Sequence, residues 1–160
     1  MKHYAPPLKL PPFHAVQTRA RSDGWTPLRQ AQFIGHLAQT RSVSAAAKAI
    51  SMSRESAYRL RARVGAEGFA AVWDMALARR DTAEGFAQVH AARMRALAAL
   101  APSRKVTLDA LDWRIETGKF QVVMRAGRFH RVRHVLDNNA LLCALRRAGL
   151  VDAKAMAMPR

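Results

Sequence analysis

The sequence is short of cysteine, of acids and of long apolar runs, and each shortage removes a class of protein. Cys143 is the only cysteine, so neither a disulfide framework nor a cysteine zinc site can be built. No segment approaches the ~20 apolar residues that span a bilayer. The opening stretch MKHYAPPLKLPPFHAV is basic but broken by prolines, unlike the unbroken apolar core of a signal peptide. A glycine-rich phosphate loop is missing, and no nucleophile–base arrangement can be assembled, so an enzyme is a weak expectation and no cofactor is implied. A soluble protein of a reducing compartment is expected, with bacterial cytoplasm as the default. What the chain has in excess is positive charge: 27 Lys and Arg against 11 Asp and Glu, a balance of +16. Such a surface attracts polyanions, nucleic acid before anionic membrane.

Half of the 160 residues are hydrophobic, enough for one core and a smaller appended unit. Residues 1–24 hold prolines 6, 7, 11 and 12 with Lys2, Lys9, Arg19 and Arg21, which reads as an extended basic arm with no core of its own. A solubilising tail is favoured there over an arm that reaches into a groove. Residues 25–66 read as a three-helix unit. Thr26 caps the first helix, with Pro27 where a missing N–H costs nothing. Leu28, Ala31, Phe33, Ile34, Leu37 and Ala38 form its apolar stripe, and it ends near 39–42. Ser44 is the expected cap of a second helix over 45–50, and Ser53 of a third from Arg54 to about Val64, after which Gly65 and Gly68 punctuate.

Residues 67–118 read as a helical connector and oligomerisation region. Phe69, Val72, Trp73, Ala76 and Leu77 have helical spacing, and Asp81 to Glu84 resembles a capping box with Asp81 as cap. Whether one helix or two runs to about Leu100 is open. Pro102 closes that segment, and Thr107 caps a further helix that stops at Gly118. Residues 119–149 change character: FQVVMR, Ala126-Gly127 and RFHRVRHV predict a β-hairpin. Its alternation is imperfect, with Phe129 and Val132 falling on opposite faces. Asp137 caps a last helix, 138–148, whose apolar face is Leu141, Leu142 and Leu145. Cys143 beside them reads as a small core residue. Residues 150–160 are a tail. The expected fold is mainly α: a helix-turn-helix bundle, further helices, a hairpin and a final short helix.

The stretch VSAAAKAISMSRESAYRLRAR, residues 43–63, carries the functional signal. Two crossing helices need small residues where they meet, and Ala46 and Ala47 supply them. Ile50 and Met52 plug the angle, and Ala57 and Leu60 face inward. Arg54, Glu55, Tyr58 and Arg59 are then presented to base edges, while Arg41, Ser44, Lys48, Ser53, Arg61 and Arg63 lie where backbone phosphates would be. Glu55 either accepts from a cytosine amine or orients Arg59 four residues on. Between Arg41 and Arg63 there are six basic residues and one acid. The turn position usually taken by glycine holds Ser51, at a modest cost if its backbone is left-handed. The competing reading is a three-helix bundle with a solvated basic face.

Arg125, Arg128, Arg131 and Arg133 make the hairpin a second basic feature. It either clamps a phosphate backbone or keeps an edge strand from aggregating. His130 and His134 share a strand face without converging, so no metal site is assigned to them. Asp109, Asp112 and Glu116 read as a solvated helix face. One helix-turn-helix unit buries too little surface for tight binding at cellular salt, so a homo-oligomer is expected, a dimer before a ring. Its candidate interfaces are the Ala-rich stretch 82–100 and the hairpin.

From Gly24 onward the chain resembles the homeodomain-like helix-turn-helix proteins typified by phage terminase small subunits and their chromosomal bacterial relatives. GWTPLRQAQFIGHLAQTRSVSAAAKAISMSRESAYRLRAR and FAAVWDMAL carry the likeness. GKFQVVMRAGRFHRVRHVLDNNALLCALRR aligns with the later part, where a glycine-turned hairpin precedes a Leu-rich helix. The resemblance covers most of residues 24–148. It implies sequence-specific recognition of double-stranded DNA through residues 53–63. The implied role is transcription regulation, with RNA polymerase as a further partner, or recognition of a packaging start with a terminase large subunit as partner. A nucleoid-type or RNA-binding protein is the third expectation.

Overall fold

The structure, a computed structural model, describes residues 8–150. Residues 1–7 of the expected arm and the tail from 151 lie outside the described residues. Seven helices and one antiparallel hairpin follow in the order α1 (Pro27–Thr40), α2 (Val43–Ala49), α3 (Arg54–Arg61), α4 (Glu67–Leu77), α5 (Ala83–Leu100), α6 (Leu108–Thr117), β1 (Lys119–Arg125), β2 (Arg128–Val135) and α7 (Asn138–Arg147). The chain is mainly α, as its patterning implies. Among the described residues no helix is long and apolar enough to cross a membrane.

Local chemistry sets most of the boundaries. Thr26 Oγ1 accepts from Arg29 N at 3.2 Å to start α1, and Thr107 and Asp137 do the same for α6 and α7. Two caps differ from expectation. Ser42, not Ser44, caps α2, accepting from Ala45 N at 3.2 Å, because α1 has already ended at Arg41 in a left-handed conformation with φ 56°. Thr82, not Asp81, caps α5, accepting from Gly85 N, while Asp81 pairs with Arg79. The region to Leu100 is therefore two helices, broken after Leu77. Helix α3 stops at Arg61, and Val64, 98% exposed, lies beyond it. Gly68 lies inside α4 rather than between elements.

An aromatic cluster forms the centre of the core. Phe33 of α1 meets Trp73 of α4 at 4.9 Å, Trp25 at 5.5 Å and Phe69 at 6.1 Å between ring centroids. Phe13 closes the cluster against Phe69 at 6.0 Å. Leu28, counted in the apolar stripe of α1, is 51% exposed and takes no part.

Phe13 belongs to the segment expected to hold no core, and here the structure corrects the sequence reading. Leu10, Phe13, Ala15 and Val16 are buried. Prolines 11 and 12 keep the segment extended, and Phe13 exchanges two 2.9 Å backbone hydrogen bonds with Phe120 at the start of the hairpin. The fully buried side chain of Gln30 in α1 accepts from Val16 N at 2.7 Å and donates to Val16 O at 2.9 Å. Trp113 Nε1 donates to Ala15 O. Burying Leu10, Phe13 and Val16 contributes about 1.5–3 kcal/mol each, so this strap is part of the fold.

The hairpin turns through Ala126 and Gly127, both at positive φ (48° and 75°), the geometry of a two-residue type I′ turn. Its register runs Lys119–Val135 to Val123–Arg131, then shifts so that Met124 faces Phe129. That leaves His130 as the extra residue of a bulge. The bulge returns Phe129 to the face of Val132, and both pack on the core with Phe120, Val122 and Met124. It also separates His130 from His134, which stacks on Phe120 at 4.9 Å. The inner face lies on the second half of α1. A Cβ at Gly35 would stand 2.4 Å from the Phe129 ring, so only glycine permits this approach. Helix α7 packs on α6 through Leu111 and Ala140, while Cys143 and Leu142 are half-buried and Leu141 is exposed. The core role expected for Cys143 is thus only partial.

Candidate nucleic-acid interface

Helix α3 is fixed from behind before it presents anything in front. Ala46, Ala47, Ala57 and Leu60 are buried where α1, α2 and α3 meet, and Ile50 and Met52 fill the angle. Ser51 takes a left-handed conformation with φ 58°, so the turn has its usual shape with a serine in the glycine position. Ser53 Oγ accepts from Ser56 N at 3.1 Å to cap α3. Trp25 Nε1 donates to Ser56 Oγ at 3.1 Å, tying the start of α3 to the residue before the α1 cap.

On the outer side Arg54, Glu55, Tyr58 and Arg59 are exposed. The Tyr58 ring rests on Trp73 at 5.4 Å, and the Arg54 guanidinium carbon lies 5.7 Å from the Tyr58 centroid. This contact draws the exposed Arg54 side chain toward the Tyr58 ring, a cation–π arrangement worth about 0.5–1 kcal/mol at an exposed site. Among the described residues no ion pair joins Glu55 to Arg59, so the orienting role considered for Glu55 has no contact behind it. Lys48 on α2 and Arg63 after α3 are exposed as well, and Ser44 is exposed in the first turn of α2.

Two expected phosphate ligands are turned back onto the protein. Arg61 bonds Asp74 Oδ1 at 2.8 Å and Ala70 O at 3.2 Å, with its guanidinium 5.3 Å from the Trp73 centroid. Arg41 donates to Leu77 O at 2.6 Å and Ala78 O at 3.0 Å, satisfying carbonyls left open at the end of α4. Both arginines join the three-helix unit to α4. The cause is tertiary: Asp74 and the α4 carbonyls supply acceptors that nothing near Arg41 or Arg61 in sequence announces. Beside Arg41, Arg79 and Arg80 line a recess of about 330 Å³ with Asp81. The hydrogen bond from Arg79 holds the Asp81 carboxyl below its ordinary range.

The hairpin carries the second group. Arg125 lies opposite Arg128, Val123 opposite Arg131 and Gln121 opposite Arg133, so the bulged register puts all four arginines on the face away from the core. All four are exposed. Like charges directly opposite each other destabilise a ladder, and an anion on this face relieves that repulsion. Three contacts hold the hairpin on α1: Phe129 N donates to Gln39 Oε1 at 2.8 Å, His36 meets Phe129 edge-on at 5.2 Å, and Gly35 admits the ring. Gln39 stands three residues before the α2 cap, so the hairpin tip is anchored next to the helix-turn-helix.

The supports of this interface, Trp73 beneath Tyr58 and Gln39 beneath the hairpin tip, were not identified from the sequence. Trp73 lies in the buried stripe of α4, and nothing local marks either pairing. Asp109, Asp112 and Glu116 are exposed on α6, and among the described residues no three His, Cys, Asp or Glu side chains group as metal ligands. No family model matches this chain, and comparison with curated proteins and with solved structures likewise gives no match.

Proposed function

We propose that this protein binds duplex DNA in a sequence-dependent manner, with α3 in the major groove and the hairpin on the adjoining backbone. The supporting observation is the Arg54–Tyr58–Trp73 stack: an exposed arginine on a helix whose inner side is fixed by packing. An Arg fork held this way can meet guanine O6 and N7, a contact worth about 1–3 kcal/mol of discrimination. Arg54, Arg59, Tyr58 and Glu55 are the readers in this proposal. Lys48, Arg63, Arg125, Arg128, Arg131 and Arg133 neutralise phosphates. A bacterial transcription regulator acting at the nucleoid is the role we favour. A terminase-like packaging recognition protein, as the resemblance suggests, is the alternative, and a nucleoid-type or RNA-binding protein the third.

The test is selection of binding sites from random duplexes, followed by titration of wild type and of Arg54→Ala/Arg59→Ala at several salt concentrations. Wild type should prefer its selected site, and the double variant should lose most of that preference while keeping a salt-dependent background. Equal weakening on all sequences would make the two arginines phosphate contacts. No binding at low salt would refute the proposal as a whole.

A further inference from the structure

The start of α4 and the end of α5 meet at one cavity of about 280 Å³, which the loop 101–106, α6 and His14 of the strap complete. The other six helices begin with a side-chain cap, but Ala66 holds that position in α4 and leaves its first N–H groups without a side-chain acceptor. Residues 98–101 bring the carbonyl end of α5 to the same wall. A helix start is a positive pole and a helix end a negative one, so both signs stand side by side. Charged side chains repeat the pairing: Arg114 and Lys105 line the cavity as cations, and Glu67 as an acid. Arg114 Nη2 donates to Ala99 O at 3.3 Å, whereas Nη1 is buried and the only such side-chain atom, among the described residues, with no hydrogen-bond partner. An open buried donor on a cation is costly. Burial pushes the Arg114 pKa down against the upward pull of Asp137 and Glu67, and no ion pair joins Arg114 to Glu67 among the described residues. Arg147 fixes the loop wall, donating to Val106 O at 2.6 Å and Ser103 O at 3.0 Å.

We infer that this cavity binds a small zwitterion, a free α-amino acid, with its carboxylate on Arg114 and Lys105 beside the start of α4 and its ammonium on Glu67 beside the end of α5. Size and charge select that chemistry. The volume lies just under the roughly 300–1,000 Å³ of pockets for drug-sized ligands, which leaves room for a small metabolite and none for a nucleotide. Phosphate suits the cations but meets Glu67 and the α5 carbonyls, and a simple amine meets Arg114 and Lys105. A molecule with both charges a few atoms apart satisfies both poles at once. Its carboxylate draws the guanidinium toward the cavity and gives Nη1 the acceptor it lacks, in a charge-assisted bond. The site does not depend on whether α3 reads DNA.

The test is NMR titration of the full chain with glycine and L-alanine, set against acetate, methylammonium and phosphate at constant ionic strength. Trp113 reports on the site, because its indole N–H donates to Ala15 O next to His14, which lines the cavity. Its indole resonance should move and saturate at roughly millimolar amino acid, an affinity in keeping with so few ligand atoms, while that of Trp25 stays in place. Acetate, methylammonium and phosphate, each lacking one pole of the match, should bind about tenfold more weakly or worse. Glu67→Gln, at an exposed position, should bring the amino acid and acetate to about equal affinity. Arg114→Met should abolish saturation, and Lys105→Gln, also exposed, should weaken binding about threefold or more without disturbing the fold. No saturation by about 50 mM glycine or L-alanine would overturn the inference. Acetate or phosphate binding as tightly as the amino acids would overturn the zwitterion and make this a plain anion site.

Discussion

At the scale of single residues, Ser51 and His14 each hold a position at a measurable cost. Ser51 is left-handed at φ 58°, a conformation that costs an L-residue about 1–2 kcal/mol and glycine little. Ser51→Gly should therefore raise the midpoint of urea unfolding by an amount equivalent to about 0.5–1 kcal/mol; an unchanged or lower midpoint contradicts this. His14 is 7% exposed and bonded through Nε2 to Asp137 Oδ2. Burial pushes the imidazole below its ordinary pKa of 6.5, outweighing the upward pull of the Asp137 hydrogen bond. A histidine whose pKa falls on folding binds its proton less readily in the native than in the unfolded chain. Its contribution is intact above pH 6.5 and is lost as the pH drops through that value toward the lower native one. Unfolding midpoints should thus decline between pH 7 and 5, and His14→Gln should flatten that part of the profile. The serine was legible as an exception in the turn. The histidine was not, because its partner stands 123 residues away.

Among the elements, what could be read locally was read well. Caps and apolar periodicity located α1, α2, α3, α6 and α7 and left open whether one helix or two runs through 67–100, and the Ala-Gly pair located the hairpin turn, since these signals lie within a few residues of their effect. Where the reading slipped, two local solutions competed. Ser42 and Ser44 both offer a cap, and the early end of α1 at Arg41 decides for Ser42. The spacing of three between Phe129 and Val132 was the trace of a bulge, but only packing against Gly35 shows which residue is extruded. That bulge gathers the four arginines of the hairpin on one face, which makes the hairpin testable as a unit. Replacing Arg125, Arg128, Arg131 and Arg133 by Ser should weaken binding to all duplexes alike. The slope of log affinity against log salt should shallow by about 0.9 for each phosphate contact removed, with the sequence preference of α3 retained. An unchanged slope would make these arginines guards against aggregation instead. In α3 the outward residues were legible because exposure follows from helix phase. The loss of Arg41 and Arg61 to α4 was not, because their acceptors come from another element.

For the molecule as a whole, the division drawn from sequence between an arm and a separate helix-turn-helix does not describe the packing. Phe33 of the three-helix unit packs both on Trp25 and on Trp73 of α4, and Gln30 is satisfied by the strap, so residues 25–66 have no core that is theirs alone. A fragment of those residues should lack cooperative unfolding by circular dichroism, whereas the full chain should show one transition. The strap has a consequence for the order of events during synthesis. Besides Gln30 and Phe69 its partners include Trp113, Phe120, Gln121 and Asp137, so the strap is fully housed only after α6 and the hairpin have been made. Contacts that span most of the chain slow folding, and until the hairpin is made Phe13 lacks both of its backbone partners on Phe120.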